Sequence, residues 1–235
     1  MSYLILGSGG LGGALAHELA SRGEEWLLAG RQLPKGLDPA CYFPLQEVDP
    51  LSFDALFTLY DTATLPNVVI NTIGLLHDLS HMPERRVEEV TPQWLGESLQ
   101  ANAWPHLALG ASLSRLMTFE SRLWLCTLSD LAGSLGEAHR EPSRRYSYRM
   151  SKAALNMGSR ILAAEWAERF PGAGVITVHP GLMDTPMQQP FRQEIDPALL
   201  QDPALVAPQL LDLLASLNQA HSGRFVDLRG QPLPW

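Results

Sequence analysis

"YLILGSGGLGGALA", residues 3–16, decides how the rest of the chain is to be read. Four large apolar residues in succession suit a strand covered on both faces, as a parallel sheet between helices demands. Gly7, Gly9 and Gly12 follow in G-x-G-x-x-G spacing, and "GLGGALAHELASRG" predicts a helix that ends at Gly23. A strand, a tight glycine turn and a helix N-terminus together build an anion cradle. Glycine lets the backbone approach closely, and the first helical N–H groups and the positive end of the dipole face a pyrophosphate. The loop of Gly7, Ser8, Gly9, Gly10, Leu11 and Gly12 is therefore assigned to a dinucleotide.

Outward from this unit, short apolar runs alternate with helical stretches. "EWLLAGR" (25–31), "CYFPLQEVD" (41–49), "NVVINTIG" (67–74), "RLWLCTLS" (122–129), "GVITVHPG" (174–181) and "GRFVDL" (223–228) read as further strands. "SFDALFTLYDTA", a long helix of about 25 residues through "PQWLGESLQANAWPHLALGASLSRL", residues 146–169 and "DPALVAPQLLDLLASLN" read as helices between them. The expected fold is α/β: a Rossmann-type doubly wound parallel sheet of about seven strands in a three-layer α/β/α sandwich. No linker, repeat or composition break divides residues 1–235, so one domain is expected.

The second strand ends "LLAGRQ", with Arg31 where an acid would bind the ribose hydroxyls of NAD. A guanidinium suits a 2′-phosphate instead, which favours NADP over NAD.

Composition narrows the function classes. Hydrophobic residues at 46% and charged residues at 18% describe an ordinary globular chain rather than a disordered one. A net charge of -8 argues against nucleic acid and anionic membranes as partners. Cys41 and Cys126 lack metal spacing and read as free thiols, no histidine, cysteine and carboxylate set has ligand spacing, and no metal is expected. Without an apolar run of about 18 residues or a basic leader, a cytoplasmic protein is expected.

"YSYRMSKAALN" (146–156) carries Lys152, one of only two lysines, four positions after Tyr148. Residues i and i+4 share a helix face. A free phenol ionises near 10, too high for a base at neutrality, and a nearby ammonium favours the phenolate. Such a tyrosine can exchange a proton with a hydroxyl or carbonyl oxygen while a nicotinamide exchanges the hydride. Tyr146, six positions from Lys152, faces elsewhere.

Taken together, "GSGGLG", "NTIG", a serine-bearing fifth strand, "YRMSK" and "HPGLMDTPM" resemble, in order, the short-chain dehydrogenases/reductases. "GLLH…PER…", "YSYRMSKAALNM" and "GRFVDLRGQPLPW" resemble the C-factor-like branch of that family. The resemblance implies Tyr148 as general acid/base, with Lys152 on the nicotinamide ribose and depressing the tyrosine. It implies Asn102 as holder of a relay water, and Asn71 and Gly74 as the turn that passes the cofactor. It further implies Asp49 at the adenine, Pro180 and Gly181 under the nicotinamide, and Thr185 at its carboxamide or the phosphates. The implied activity is carbonyl–alcohol interconversion on a small molecule by a homodimer or homotetramer. A nucleotide-binding signalling or regulatory protein with little turnover is the alternative.

Two positions depart from the family pattern. The glycine loop is one residue shorter and opens with Leu6 instead of threonine. The substrate-binding serine is expected three residues before Gly133, where this chain has Asp130. Ser129 is its neighbour, which an extended strand turns to the opposite face unless a bulge re-aims it. Ser129 is taken for the role, with Ser134 in reserve. His77 and His81 read as loop histidines, and His179 as a hydrogen-bonded structural one. Arg140, Arg144, Arg145 and Arg149 read as a charged segment at the catalytic helix. Met150, Ala154, Met157, Ile161 and Ala164 repeat at helical spacing, leaving core and two-fold interface both open.

Overall fold

The computed structural model describes residues 1–137 and 144–235. Arg140 lies outside the described residues. The chain opens as expected, with β1 (Ser2–Leu6), α1 (Gly10–Arg22) and β2 (Glu25–Gly30). Then come β3 (Tyr42–Pro44), α2 (Pro50–Phe57), β4 (Val68–Asn71), α3 (Pro92–Asn102) and α4 (Trp104–Leu116). The second half runs β5 (Trp124–Leu128), α5 (Tyr146–Arg169), β6 (Gly174–His179), β7 (Leu182–Met183), β8 (Leu200–Gln201), α6 (Pro203–Ala215) and β9 (Arg224–Asp227).

Seven strands form one sheet in the order β3-β2-β1-β4-β5-β6-β9, every pair parallel. Strand alternation divides the apolar runs between two cores. Ile5, Ile70, Cys126, Ile176 and Val226 face α1 and α6, meeting Leu15, Leu19, Leu210 and Leu211. Leu4, Leu6, Val69, Leu125 and Val175 face α2, α4 and α5, meeting Phe53, Leu109, Leu113 and Trp166. Leu4, Ile5 and Leu6 are wholly buried; each contributes about 1.5–3 kcal/mol through water exclusion. The result is the Rossmann-type three-layer sandwich.

Two elements differ from the sequence expectation. The third strand is three residues rather than nine, because Pro44 has no N–H to give the ladder and β3 is an edge. The 25-residue helix is two helices broken at Ala103 (φ -101). Pro105 cannot donate a helical bond and its ring clashes with the preceding turn. Cys41 and Cys126 are free thiols, and no described helix is long and apolar enough to cross a membrane.

Sequence order reverses between β1 and β4, which leave the sheet centre in opposite directions. The crevice beyond their C-terminal ends is the switch point where open α/β sheets bind ligands. Gly7 follows β1 and Thr72 follows β4, so both loops rim that crevice.

Candidate active site

The glycine loop closes against its neighbours as the spacing demands. Gly7 sits at φ +97, and a Cβ on Gly12 would stand 1.8 Å from the Gly7 carbonyl oxygen. Thr72 Oγ1 donates to the Leu6 and Gly7 carbonyls at 2.8 and 3.0 Å, pinning the turn to the loop after β4. Gly9 opens on free space and is the N-cap of α1, so the N–H groups of Gly10, Leu11 and Gly12 begin the helix facing outward. A Cβ on Gly10 would meet the Thr185 methyl at 2.6 Å, so the segment after β7 lies over this helix start. The cradle could hold a phosphate between Gly9 and Thr185.

Around its rim, Ser8 packs against Gly30, and its Oγ accepts the Gln32 N–H at 3.2 Å. Arg31 between them is exposed. Asp49 caps α2, its carboxylate accepting the Ser52 N–H at 2.7 Å, and that bond holds its carboxyl below the usual value. Asn71 Oδ1 accepts the Ile73 N–H at 3.1 Å, while its buried Nδ2 has no partner among the described residues. Pro180 is buried, and Gly181 at φ +80 lies against Gln201.

Tyr148 and Lys152 occupy adjoining turns of α5, both buried, with Lys152 Nζ 5.8 Å from the phenol ring centroid. The ammonium donates to the Leu128 carbonyl at 3.1 Å. A Cβ on Gly74 would lie 3.3 Å from Asn102 Oδ1 and 3.7 Å from Nζ, so the β4 loop, α3 and α5 converge here. Asn102, at the break before α4, grips the Leu75 peptide. Its Oδ1 accepts the Leu75 N–H at 2.7 Å, and its Nδ2 donates to the Leu75 carbonyl at 2.8 Å and to Ser151 Oγ at 2.9 Å. Both amide hydrogens are thereby used within the protein.

The serine position resolves differently from the expectation. Ser129 Oγ turns inward and donates to Asn156 Oδ1 at 2.6 Å, and Ser134 Oγ accepts the Glu137 N–H at 3.2 Å. Asp130, on the opposite face, meets the tyrosine: Tyr148 Oη donates to Asp130 Oδ2 at 3.0 Å. No bulge re-aims Ser129, whose N–H continues the ladder to the Val178 carbonyl at 2.8 Å.

Electrostatics differ as well. Burial, then the charge and hydrogen bond of Asp130, push Tyr148 well above 10; Arg145, 5.8 Å from the ring, pulls weakly the other way. Burial brings Lys152 down to about 8 against the pull of Asp130. Burial and Asp130 outweigh the nearby cations at this tyrosine. Burial would raise the Asp130 carboxyl, but His179, the Ala132 N–H, Arg145 and the Tyr148 hydroxyl outweigh it and hold it below the usual value.

Sequence reasoning missed Glu84. Its buried carboxylate accepts the Ser147 N–H and hydroxyl, and its carbonyl accepts the Arg145 N–H at 2.7 Å. A residue 63 positions upstream thus caps the helix that carries Tyr148, a partnership that leaves no local sequence pattern. His179 Nδ1 is buried with no hydrogen-bond partner among the described residues. His77 Nε2 meets the Met187 carbonyl at 3.2 Å and its ring meets Phe191, joining the two loops over Tyr148. Leu76, Ala132, Met187 and Phe191 give the phenol an apolar surround. Asp78, His81 and Glu97 bring possible ligand atoms within 4.8 Å of one another, which spacing alone did not show. Asp78 there binds two N–H groups of its own turn, and His81 stacks on Trp94.

The architecture around this site is the fold of short-chain dehydrogenases and carbonyl reductases. The carbonyl reductase Sniffer of D. melanogaster superposes with a TM-score of 0.81 at 22% identity, covering 100% of this chain and 99% of that one. An NADPH-bound carbonyl reductase from chicken fatty liver gives 0.79 at 21%, covering 100% and 98%. A short chain dehydrogenase family protein from Francisella tularensis gives 0.73 at 14%, covering 96% of each. In sequence, the chain is 38% identical over 94 residues to C-signal of Myxococcus xanthus, a match covering 38% of this chain and 49% of that protein. The match thus spans about half the length of the curated relative. No family model matches the chain.

Proposed function

We propose that the chain is a short-chain dehydrogenase/reductase that uses NADP(H), with NAD the weaker alternative, to interconvert a carbonyl and an alcohol on a small molecule. The observation that carries this reading is the convergence of Tyr148, Lys152, Asn102 and Gly74 beside the glycine cradle at the sheet's switch point. The NADPH carried by the chicken carbonyl reductase supports the coenzyme assignment.

The glycine loop, with Thr185, would bind the pyrophosphate, Arg31 the 2′-phosphate and Asp49 the adenine end. Asn71, Gly74, Pro180 and Gly181 would line the nicotinamide's path, and Lys152 would reach its ribose. When bound, the nicotinamide supplies or accepts the hydride. Tyr148 moves the proton at the substrate oxygen. Asn102 fixes the Leu75 peptide and so the loop that covers Tyr148, while Leu76, Met187 and Phe191 exclude water from the reacting oxygen. Ser129 supports this site through Asn156 rather than through substrate.

Met150, Met157 and Ile161 are 50%, 60% and 61% exposed, so they are not core; their exposure supports an assembly of two or four chains through α5. The test is binding of NADPH and NADH by fluorescence titration, then NADPH consumption over an aldehyde and ketone panel with Tyr148→Phe alongside. Tyrosine-dependent turnover is expected. Tight binding with no tyrosine-dependent turnover would favour a second reading, a nucleotide-binding signalling protein, which the C-signal likeness supports.

A further inference from the structure

We infer that Asp130 is the proton terminus of the reacting centre: Tyr148 takes the proton of a substrate hydroxyl while handing its own to the Asp130 carboxylate. This rests on the oxidoreductase reading above and names the group that makes Tyr148 a base.

The geometry is built for that transfer. Asp130 Oδ1 accepts the Ala132 N–H at 2.9 Å, which fixes the carboxylate and aims Oδ2 at Tyr148 Oη, 3.0 Å away. With its hydrogen committed to Asp130, the phenol offers a substrate only lone pairs, the polarity of an acceptor. Neither serine flanking this turn is bonded to Tyr148: Ser129 donates to Asn156, and Ser134 accepts the Glu137 N–H. A free phenolate is a poor alternative, because burial and the adjacent carboxylate both oppose it.

The charged and titratable groups facing Asp130 are His179 at the end of β6, Arg145 ahead of α5, and Tyr148 and Lys152 on α5. Together they keep the carboxylate ionised, the state from which the oxidative direction starts.

In the oxidative direction the substrate C–H bond breaks and its hydride goes to the nicotinamide. The substrate O–H proton passes to Tyr148 Oη, the former phenolic proton passes to Asp130 Oδ2, and C–O becomes C=O. Asp130 then loses its proton to water. Reduction runs the same steps backwards from protonated Asp130. The relay leaves no anionic phenolate beside the carboxylate at any stage.

Two measurements test it. In the protein without coenzyme, ultraviolet difference titration against Tyr148→Phe reads the ionisation of Tyr148. Asp130→Ser and Asp130→Asn are expected to lower it by about one pH unit or more; an unchanged midpoint overturns the relay, and this readout needs no turnover. With NADP and 1-phenylethanol as probe, the unaltered protein is expected to lose rate only on the acid side, as Asp130 protonates. Asp130→Asn, which keeps the shape but cannot take the proton, is expected to be ~10²-fold slower near neutrality and to recover toward alkaline pH. Identical profiles overturn the proposal. Should the variants fail to fold, the proton inventory of the unaltered enzyme in mixed H₂O and D₂O decides, a curved plot supporting two moving protons and a straight one opposing them. If Tyr148→Phe turns over normally, the oxidoreductase reading itself falls; if only the Asp130 variants behave normally, the relay alone falls.

Discussion

Gly133 lies so close to Lys152 that a Cβ on it would stand 2.7 Å from the lysine's carbonyl carbon and 2.7 Å from its Cβ. The turn after β5 therefore rests directly on the backbone of α5, and this contact sets the reach from Asp130 to Tyr148. Gly133→Ala must push turn and helix apart. Overpacking of this kind costs about 1–3 kcal/mol, and a shift of ~1 Å at a reacting group can cost ~10²-fold in rate. Urea unfolding and NADPH turnover, measured together, should both show the loss.

Glu84 supplies the second prediction. The N-cap of α5, Arg145, adopts a left-handed conformation at φ 44, alone among the described non-glycine residues. Its N–H is held by the Glu84 carbonyl, while the Glu84 carboxylate faces the positive end of the helix dipole and takes the Ser147 N–H. Charge-assisted bonds of this kind are worth about 1.5–3 kcal/mol. Glu84→Ala should lower stability by about that amount in urea unfolding, and Glu84→Gln, which keeps the acceptor oxygen but not the charge, by less.

How much of this was legible beforehand depends on the range of the forces involved. The first strand, the glycine turn and α5 at 146–169 came through because each is written in a local period and closed by local signals. The break at Ala103 was also written locally, in Pro105, but the continuous apolar pattern on both sides masks it. The choice between Ser129 and Asp130 was legible as a question of strand alternation, and the unbulged strand turns Asp130 toward Tyr148 and Ser129 toward Asn156. Glu84 was not legible, because a cap supplied from 63 residues away is a tertiary contact with no periodic trace. The upward push on Tyr148 was hidden for the same reason: spacing reveals the lysine four residues on but not the carboxylate across the turn.

His106 makes stability depend on pH. Its Nδ1 lies 2.7 Å from Thr127 Oγ1 and its Nε2 3.2 Å from Ser159 Oγ. Ser159 spends its hydrogen on the Leu155 carbonyl, so Nε2 must carry the imidazole proton and Nδ1 must accept from Thr127. The ring is neutral, and burial brings its pKa down to about 4 from 6.5. Between those values the unfolded chain binds a proton that the folded one refuses. Stability is therefore complete above 6.5 and is lost as pH falls toward 4, by about 3 kcal/mol in all. Urea midpoints from pH 7 to pH 4 should trace this slope, and His106→Gln should flatten it.

Arg31 is where the proposed preference for NADP can be tested. It is exposed, with no salt bridge or side-chain hydrogen bond to its guanidinium among the described residues, and it lies between Gly30 and Gln32, both in contact with Ser8 of the cradle. A planar cation so placed can take a 2′-phosphate bidentately, whereas a carboxylate would repel the phosphate and accept the ribose hydroxyls. Arg31→Asp should weaken NADPH roughly 10- to 100-fold and strengthen NADH, since one lost charge-assisted contact is worth about 1.5–3 kcal/mol. Paired fluorescence titrations read both affinities on one protein. If NADPH held its affinity while Arg31 was gone, the guanidinium would be a solvated loop residue and the preference for NADP would lose its structural basis.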